Sequence, residues 1–551
     1  MLTVFLREGR VFYQKMTEPS VLYGLAVVLI TISAFMARTH NWDLEHEIYF
    51  GSRLLHGELI WTSEFHDKLP FVPFLFALPA YFKSINVFLV FSIFCVVVSS
   101  FFIKSVLSGV FSNSFPSGVF YFCSAIYIFL IYWSYDSFLT INCIAVSFYT
   151  ISFLMMVKDN VLDHQARTVH PVPLFWGSML GAMAISIRPY YLPVLAVSLV
   201  LLVVTGIGIK NEKLSEHSIR AVKKIGLWGV AIAAWGFVVN FLPYVVTGQI
   251  SAFTDGLAML ASPINPMSGP KSFFKAMKKI PDIFFWISWL LMAAFMVFDI
   301  IKNKENRGKI EVKIFFISFL SGMACVAIIM TQHYWEHYIQ LFIGNFCICL
   351  LAFLGHAQVC KGFSKLPSQD RGSFDGRFFS YAFIIFVVFL FINTTSKIII
   401  DNSAAYVESH KSENITDNWI ASRDDWREEV FLAYLEKNYP TKRPDFLFPD
   451  DMKAHWMLDE PRHHFLHAAN TKHVFLGWWE KVRFRSAHFY VVSDSAQYCT
   501  LLKEHGPELV AMEPDDYPAD CLMKDTSFYR EDAVLKRGNR ELLVFRRIAQ
   551  P

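Results

Sequence analysis

The chain has 551 residues, of which 54% are hydrophobic, 17% aromatic and only 18% charged, with 55 phenylalanines and a formal net charge of +3. That balance is too apolar for a soluble protein of this length and points to a polytopic membrane protein. No GxxxxGK[ST] loop, GxGxxG after a strand, HExxH or CxxC occurs, which argues against ATP hydrolysis, dinucleotide redox work and zinc proteolysis.

Apolar runs of bilayer-crossing length lie near 20–37, 85–108, 117–135, 138–157, 173–188, 190–208, 226–247, 282–301, 314–331, 339–355 and 378–397. They predict a mostly α fold, a polytopic bundle of about eleven transmembrane helices, with Arg188-Pro189 dividing one long run into two. Arg7, Arg10 and Lys15 precede the first run, and the groups Lys210 to Lys224, Lys302 to Lys313 and Lys361 to Arg377 fall in loops on the same side. By the positive-inside bias the N-terminus is cytoplasmic, and the first run reads as a signal anchor rather than a cleaved signal peptide. The loop at 38–84 and everything after about residue 396 then lie outside. Lys271, Lys275, Lys278 and Lys279 form a basic cluster on an outer loop, against that bias.

The chain changes character near Asp401. From there the apolar runs shorten to strand length (PDFLFP, HVFLGW, HFYVVS, ELLVFR) and alternate with amphipathic segments such as DDWREEVFLAYLEKN. This divides the chain into a membrane domain, 1–400, and a C-terminal soluble α/β domain, 401–551. Seven of the nine cysteines sit in or beside the runs as packing residues, while Cys499 and Cys521 in the outer domain allow a disulfide.

The stretch Trp42 to Phe71, WDLEHEIYFGSRLLHGELIWTSEFHDKLPF, is the most densely charged and aromatic part of the first half. Asp43, Tyr49, Arg53-Leu54-Leu55, Gly57-Glu58, Trp61, Phe65 and Lys68-Leu69-Pro70 follow one another in it without a gap. This pattern resembles the first outer loop of the GT-C glycosyltransferases that use polyprenyl-phosphate sugars, which include the protein O-mannosyltransferase and aminoarabinose-transferase-like families. Leu44 departs from the acidic residue that often follows the aspartate there, and Leu69 from the first proline of the motif. Gly181, with Arg188-Pro189-Tyr190-Tyr191-Leu192-Pro193, and His337-Tyr338 ahead of an apolar run are weaker echoes of the same families.

Transfer from a lipid phosphate releases a group that is already a stable anion, so no acid need protonate it and one base suffices. By position alone Asp43 reads as the cap of a helix beginning near Glu45. The resemblance makes it the catalytic base of an inverting displacement, with Glu45 and Glu47 as alternatives or acceptor contacts. Glu64, His66, Asp67 and Lys68 precede FVPFLFALPAYF, a segment too short to span and expected along the outer interface. Asp67 and Lys68 are either a salt bridge anchoring it or contacts to donor or acceptor.

A lipid phosphate also needs cations at the membrane surface. Arg188, at an outer helix end, can hold two phosphate oxygens at once, and His333 and His337 cluster with Trp335 in QHYWEHYIQ at another. His463, His464 and His467 have metal-like spacing without an acidic or cysteine ligand set, so they read as a surface face. No metal site is expected; Asp43 with Glu45 could bind a divalent cation, although a monophosphate leaving group does not require one.

The resemblance implies an integral-membrane glycosyltransferase of the inner membrane that moves a sugar from a polyprenyl-phosphate carrier to a glycan, lipid or protein acceptor of the cell envelope. Its expected partners are that donor, the acceptor and the bilayer, with no nucleic acid. The alternatives are a glycan ligase or polymerase using pyrophosphate-linked donors and a non-enzymatic lipid or solute transporter.

Overall fold

The structure, a computed structural model, describes residues 18–36, 42–62, 68–111, 117–134, 138–162, 170–207, 214–260, 280–303, 306, 309–329, 336–360, 381–396, 426–442, 444–447, 499–500, 502–503, 506–514, 522–523, 527–538 and 540–548. It resolves into two compact units: 1–37 with 90–238 and 266–399, and 38–89 with 239–265 and 400–551.

Among the described residues the helices of the first unit are α1 (Pro19–Met36), the greater part of α4 (Ile85–Phe111), α5 (Ser117–Trp133), α6 (Ile141–Val157), α7 (Pro171–Ile187), α8 (Tyr191–Ile207), the greater part of α9 (Leu214–Asn240), α12 (Ile280–Lys302), α13 (Ile310–Ile329), α14 (Gln340–Cys360) and α15 (Tyr381–Ser396). Ten of the eleven apolar runs fall on one of these helices each, and the run near 226–247 is broken after Asn240, its last residues forming a separate short helix, Leu242–Thr247. Among the described residues five helices are long and apolar enough to cross a membrane, and shorter apolar helices accompany them. A backbone in lipid must satisfy its own hydrogen bonds, which makes helices of such runs.

With no water to drive apolar faces together, small residues and buried polar bonds hold membrane helices. A Cβ at Gly177 would come within 2.5 Å of the Trp228 ring, and one at Gly322 within 2.5 Å of the Trp289 ring. Asn345 on α14 donates to Tyr149 Oη at 3.0 Å on α6 and to the Ser318 carbonyl at 2.8 Å on α13. At the far ends of α12 and α14, Asp299 Oδ2 lies 2.7 Å from His356 Nε2 and accepts from Asn306 Nδ2 at 2.7 Å.

The second unit holds α2 (Trp42–Leu55), α3 (Val72–Tyr81), α10 (Leu242–Thr247) and α11 (Ile250–Leu260). α3 has ten residues, too few to span a bilayer, as its sequence predicts. The same unit contains a four-stranded sheet of β1 (Phe446–Leu447), β2 (Leu509–Met512), β3 (Tyr529–Arg537) and β4 (Arg540–Arg547), in the order β1-β2-β4-β3. β1 runs parallel to β2 and the other pairs are antiparallel, with Val510 opposite Phe545 and Val534 opposite Leu543.

Helix α16 (Trp426–Asn438) covers one sheet face, and Phe431 and Leu435, one turn apart, pack with Phe446, Leu509, Ala511, Leu542 and Val544. Burial pushes the Tyr529 phenol up, so it stays a neutral donor to the Pro507 carbonyl at 2.6 Å. Helix α16, β1 and β4 fall on segments whose sequence predicts helix or strand; HVFLGW and HFYVVS lie outside the described residues. Cys499 is disulfide-bonded, and Cys521 lies outside the described residues.

Candidate functional site

Helix α2 is buried along most of its length: Leu44, His46, Glu47, Ile48, Tyr49, Phe50 and Ser52 are each less than a tenth exposed, Glu47 at 3%. α3 packs directly on it, because Gly51 lets the Phe76 backbone approach to a distance that any Cβ would block. The helix begins at Trp42, so Asp43 sits inside its first turn rather than capping a helix that starts at Glu45. A carboxylate there is favoured by the helix dipole. Asp43 and Glu47 are four positions apart, the spacing of neighbours on one helix face, whereas Asp43 and Glu45 are two apart.

The end of α2 explains part of the loop motif. Gly57 takes a left-handed φ of 85°, its N–H donates to Leu54 O at 2.9 Å, and the Glu58 N–H donates to Arg53 O at 3.1 Å. This pair of bonds is a Schellman stop. It turns Glu58 back onto Arg53, whose Nε–H donates to Glu58 Oε2 at 3.0 Å and whose second nitrogen reaches Glu58 Oε1. Arg53, Gly57 and Glu58 thus build the helix end.

Beyond this turn Trp61 is fully buried with φ 67°. Left-handed backbone at a bulky residue costs on the order of 1–3 kcal/mol and persists only where its surroundings over-determine it. Its ring centroid lies 5.8 Å from that of Phe253 and 6.4 Å from that of Tyr244.

In the other unit, α7 stops at Ile187 because Arg188 precedes proline and is pushed into extended backbone, φ −137° and ψ 99°. Arg188 Nε–H donates to Asn142 Oδ1 at 2.6 Å, and its guanidinium carbon stands 5.4 Å from the centre of the Tyr338 ring. Asn142 is fully buried in the first turn of α6. Tyr338 belongs to the 3₁₀ turn Glu336–Ile339 that leads into α14. Gln340 anchors that turn by donating to Ile131 O at 2.9 Å and accepting from Thr140 Oγ1 at 2.7 Å. The guanidinium is therefore held from two sides. Among the described residues no carboxylate pairs with it, and its terminal N–H groups have no acceptor. An open, half-buried fork of this kind can take two oxygens of one anion.

The predicted site residues divide accordingly. Asp43, Glu45 and Glu47 share α2, Lys68 is half-buried ahead of α3, and Arg188 is brought beside the turn that carries His337. Asp67, His333, the four lysines from Lys271 to Lys279 and the histidines from His463 to His467 lie outside the described residues. No group of three or more His, Cys, Asp or Glu side chains able to hold a metal occurs among the described residues. The sequence reading did not foresee Asn142, which sits in an apolar run; an amide buried in a span is itself the signal.

No protein-family model matches the chain, and no curated protein matches it. The solved structures that match include ArnT from Cupriavidus metallidurans bound to undecaprenyl phosphate and the same protein in the apo state. Each aligns with a TM-score of 0.55 at 12% sequence identity, over 96% of this chain and 97% of that one. The chain has a GT-C-like fold. The likeness in fold extends over nearly the whole chain.

Proposed function

We propose that this protein is a membrane glycosyltransferase that takes a sugar from a polyprenyl-phosphate carrier and transfers it, with inversion, to an acceptor in the cell envelope. The observation that carries the reading is the Arg188 fork, preorganised by Asn142 and Tyr338, whose terminal N–H groups meet no acceptor among the described residues. A GT-C-like fold supports it, since the ArnT relative in fold was crystallised with undecaprenyl phosphate. The motif from Asp43 to Pro70 supports it further.

In this mechanism Arg188, assisted by His337 and His333, holds the phosphate and neutralises the charge that grows on it as the sugar leaves. Asp43 accepts the proton of an acceptor hydroxyl while that oxygen attacks the anomeric carbon opposite the phosphate. The bond from anomeric carbon to phosphate oxygen breaks, and polyprenyl phosphate departs as an anion. Glu45, Glu47, Asp67 and Lys68 contact the acceptor and the donor sugar.

Binding tests the first step. The purified protein in nanodiscs should retain undecaprenyl phosphate and release it to competing polyprenyl phosphate but not to the uncharged polyprenol. Equal competition by the alcohol contradicts a phosphate site. The reading also places the N-terminus in the cytoplasm and α2 outside. In a cysteine-free background, single cysteines at Ser63 and Ser422 should react with an impermeant thiol reagent from the outer face, and one at Ser215 should not. Labelling of Ser215 with protection of Ser422 inverts the orientation and removes the case for a lipid carrier.

A further inference from the structure

The first outer loop is gripped by one distant stretch of chain, residues 240–256, at three points. The Phe71 N–H donates to Asn240 Oδ1 at 3.1 Å. The Tyr244 hydroxyl donates to Ile60 O at 2.5 Å, from a side chain that is itself fully buried. The third grip is steric: the Trp61 indole lies against Gly256 of α11, where any Cβ would overlap its ring atoms.

Two of these contacts bear on Trp61, one of two non-glycine residues with a positive φ among the described residues, the other being Lys83. Trp61 keeps its left-handed φ while its fully buried indole packs against Tyr244, Phe253 and Gly256. A tryptophan does not choose that conformation by itself, and a loop needing only a turn there would be better served by glycine. The side chain is what the site requires.

We propose that Trp61 is the positioning residue of the first outer loop, and that Gly256 and Tyr244 lock it so that residues 57–62 and 68–71 stay in register with the helix carrying Asp43 and Glu47. The activity arm of this proposal rests on the glycosyltransferase reading; the structural arm does not. Gly256 lies in a helix, where alanine is the better helix former. A Gly256→Ala variant therefore leaves α11 intact in its own right and disturbs the Trp61 contact alone.

Hydrogen exchange of the protein in nanodiscs tests the lock. In Gly256→Ala the amides of residues 58–62 should exchange roughly tenfold faster or more, while those of α6 stay unchanged. Trp61→Gly, which relieves the backbone and empties the enclosure, should loosen the same amides, and the double variant should be no looser than Trp61→Gly alone, because both act through one contact. In a transfer assay with a polyprenyl-phosphate sugar, Gly256→Ala should lower kcat roughly tenfold with little change in donor KM, the signature of misplacement rather than lost binding. Unchanged exchange in Gly256→Ala, or simple addition of the two effects, overturns the lock. Faster exchange with unchanged kcat overturns the positioning role while leaving the enzyme reading intact. A wild-type chain that turns over no such donor sinks the enzyme reading instead, and the exchange results still decide the lock.

Discussion

Asp43→Asn is expected to lower sugar transfer by at least about a hundredfold, the lower end of what a positioned general base contributes. The amide keeps the shape of the side chain and loses only the ability to take a proton. Because α2 begins at Trp42, Asp43 is not the residue that caps it, and the substitution removes a modest dipole contact rather than a helix stop. Protein level, membrane insertion and thermal midpoint should stay close to wild type, and donor binding should persist, since a base acts on the acceptor. Glu47→Gln is the informative companion, one turn along the same helix and almost fully buried. Near-normal turnover by Asp43→Asn with a dead Glu47→Gln would move the base to Glu47.

Arg188→Ala should weaken the use of donor by roughly tenfold to a hundredfold, because a charge-assisted pair to a desolvated anion contributes about 1.5–3 kcal/mol. Arg188→Lys should recover only part, since an ammonium lacks the planar fork. Asn142→Asp is a sharper test. It is nearly isosteric and keeps an oxygen 2.6 Å from Arg188 Nε, but it gives the guanidinium a carboxylate partner where it now has a neutral amide. Donor affinity should fall as much as in Arg188→Ala even though the arginine remains. If Asn142→Asp binds undecaprenyl phosphate like wild type, Arg188 is an anchor of the α7 end and not a phosphate ligand.

The helices were legible because the bilayer imposes a simple length and hydropathy requirement, and even the break at Arg188 follows from the proline after it. What escaped the sequence reading was local or polar. The run near 226–247 reads as one span, yet α9 ends at Asn240 and α10 starts at Leu242, with Pro243 in its first turn. β3 lies at the edge of the sheet among the described residues and carries a charged sequence, YREDAVLKR, with one buried residue, so no apolar alternation announces it, and β2 is only four residues long. At the candidate site the residue types of the loop motif were visible, but their division of labour was not. Arg53, Gly57 and Glu58 turn out to stop a helix, and that depends on a positive φ and on which carbonyls the turn N–H groups meet. Asn142, Tyr244 and Gly256 lie 46 to 195 positions from the residues they hold, beyond the reach of any local pattern.

The central claim is that the chain moves a sugar off a lipid phosphate. The direct measurement supplies the purified protein in nanodiscs with a polyprenyl-phosphate-linked labelled sugar and envelope extract as acceptor, and follows both the label and the free polyprenyl phosphate. The account predicts that label leaves the carrier and polyprenyl phosphate appears in equal amount, that the new linkage has inverted anomeric configuration, and that Asp43→Asn stops both. Movement of the intact lipid-linked sugar across the bilayer with no release of polyprenyl phosphate would contradict it and make the protein a transporter.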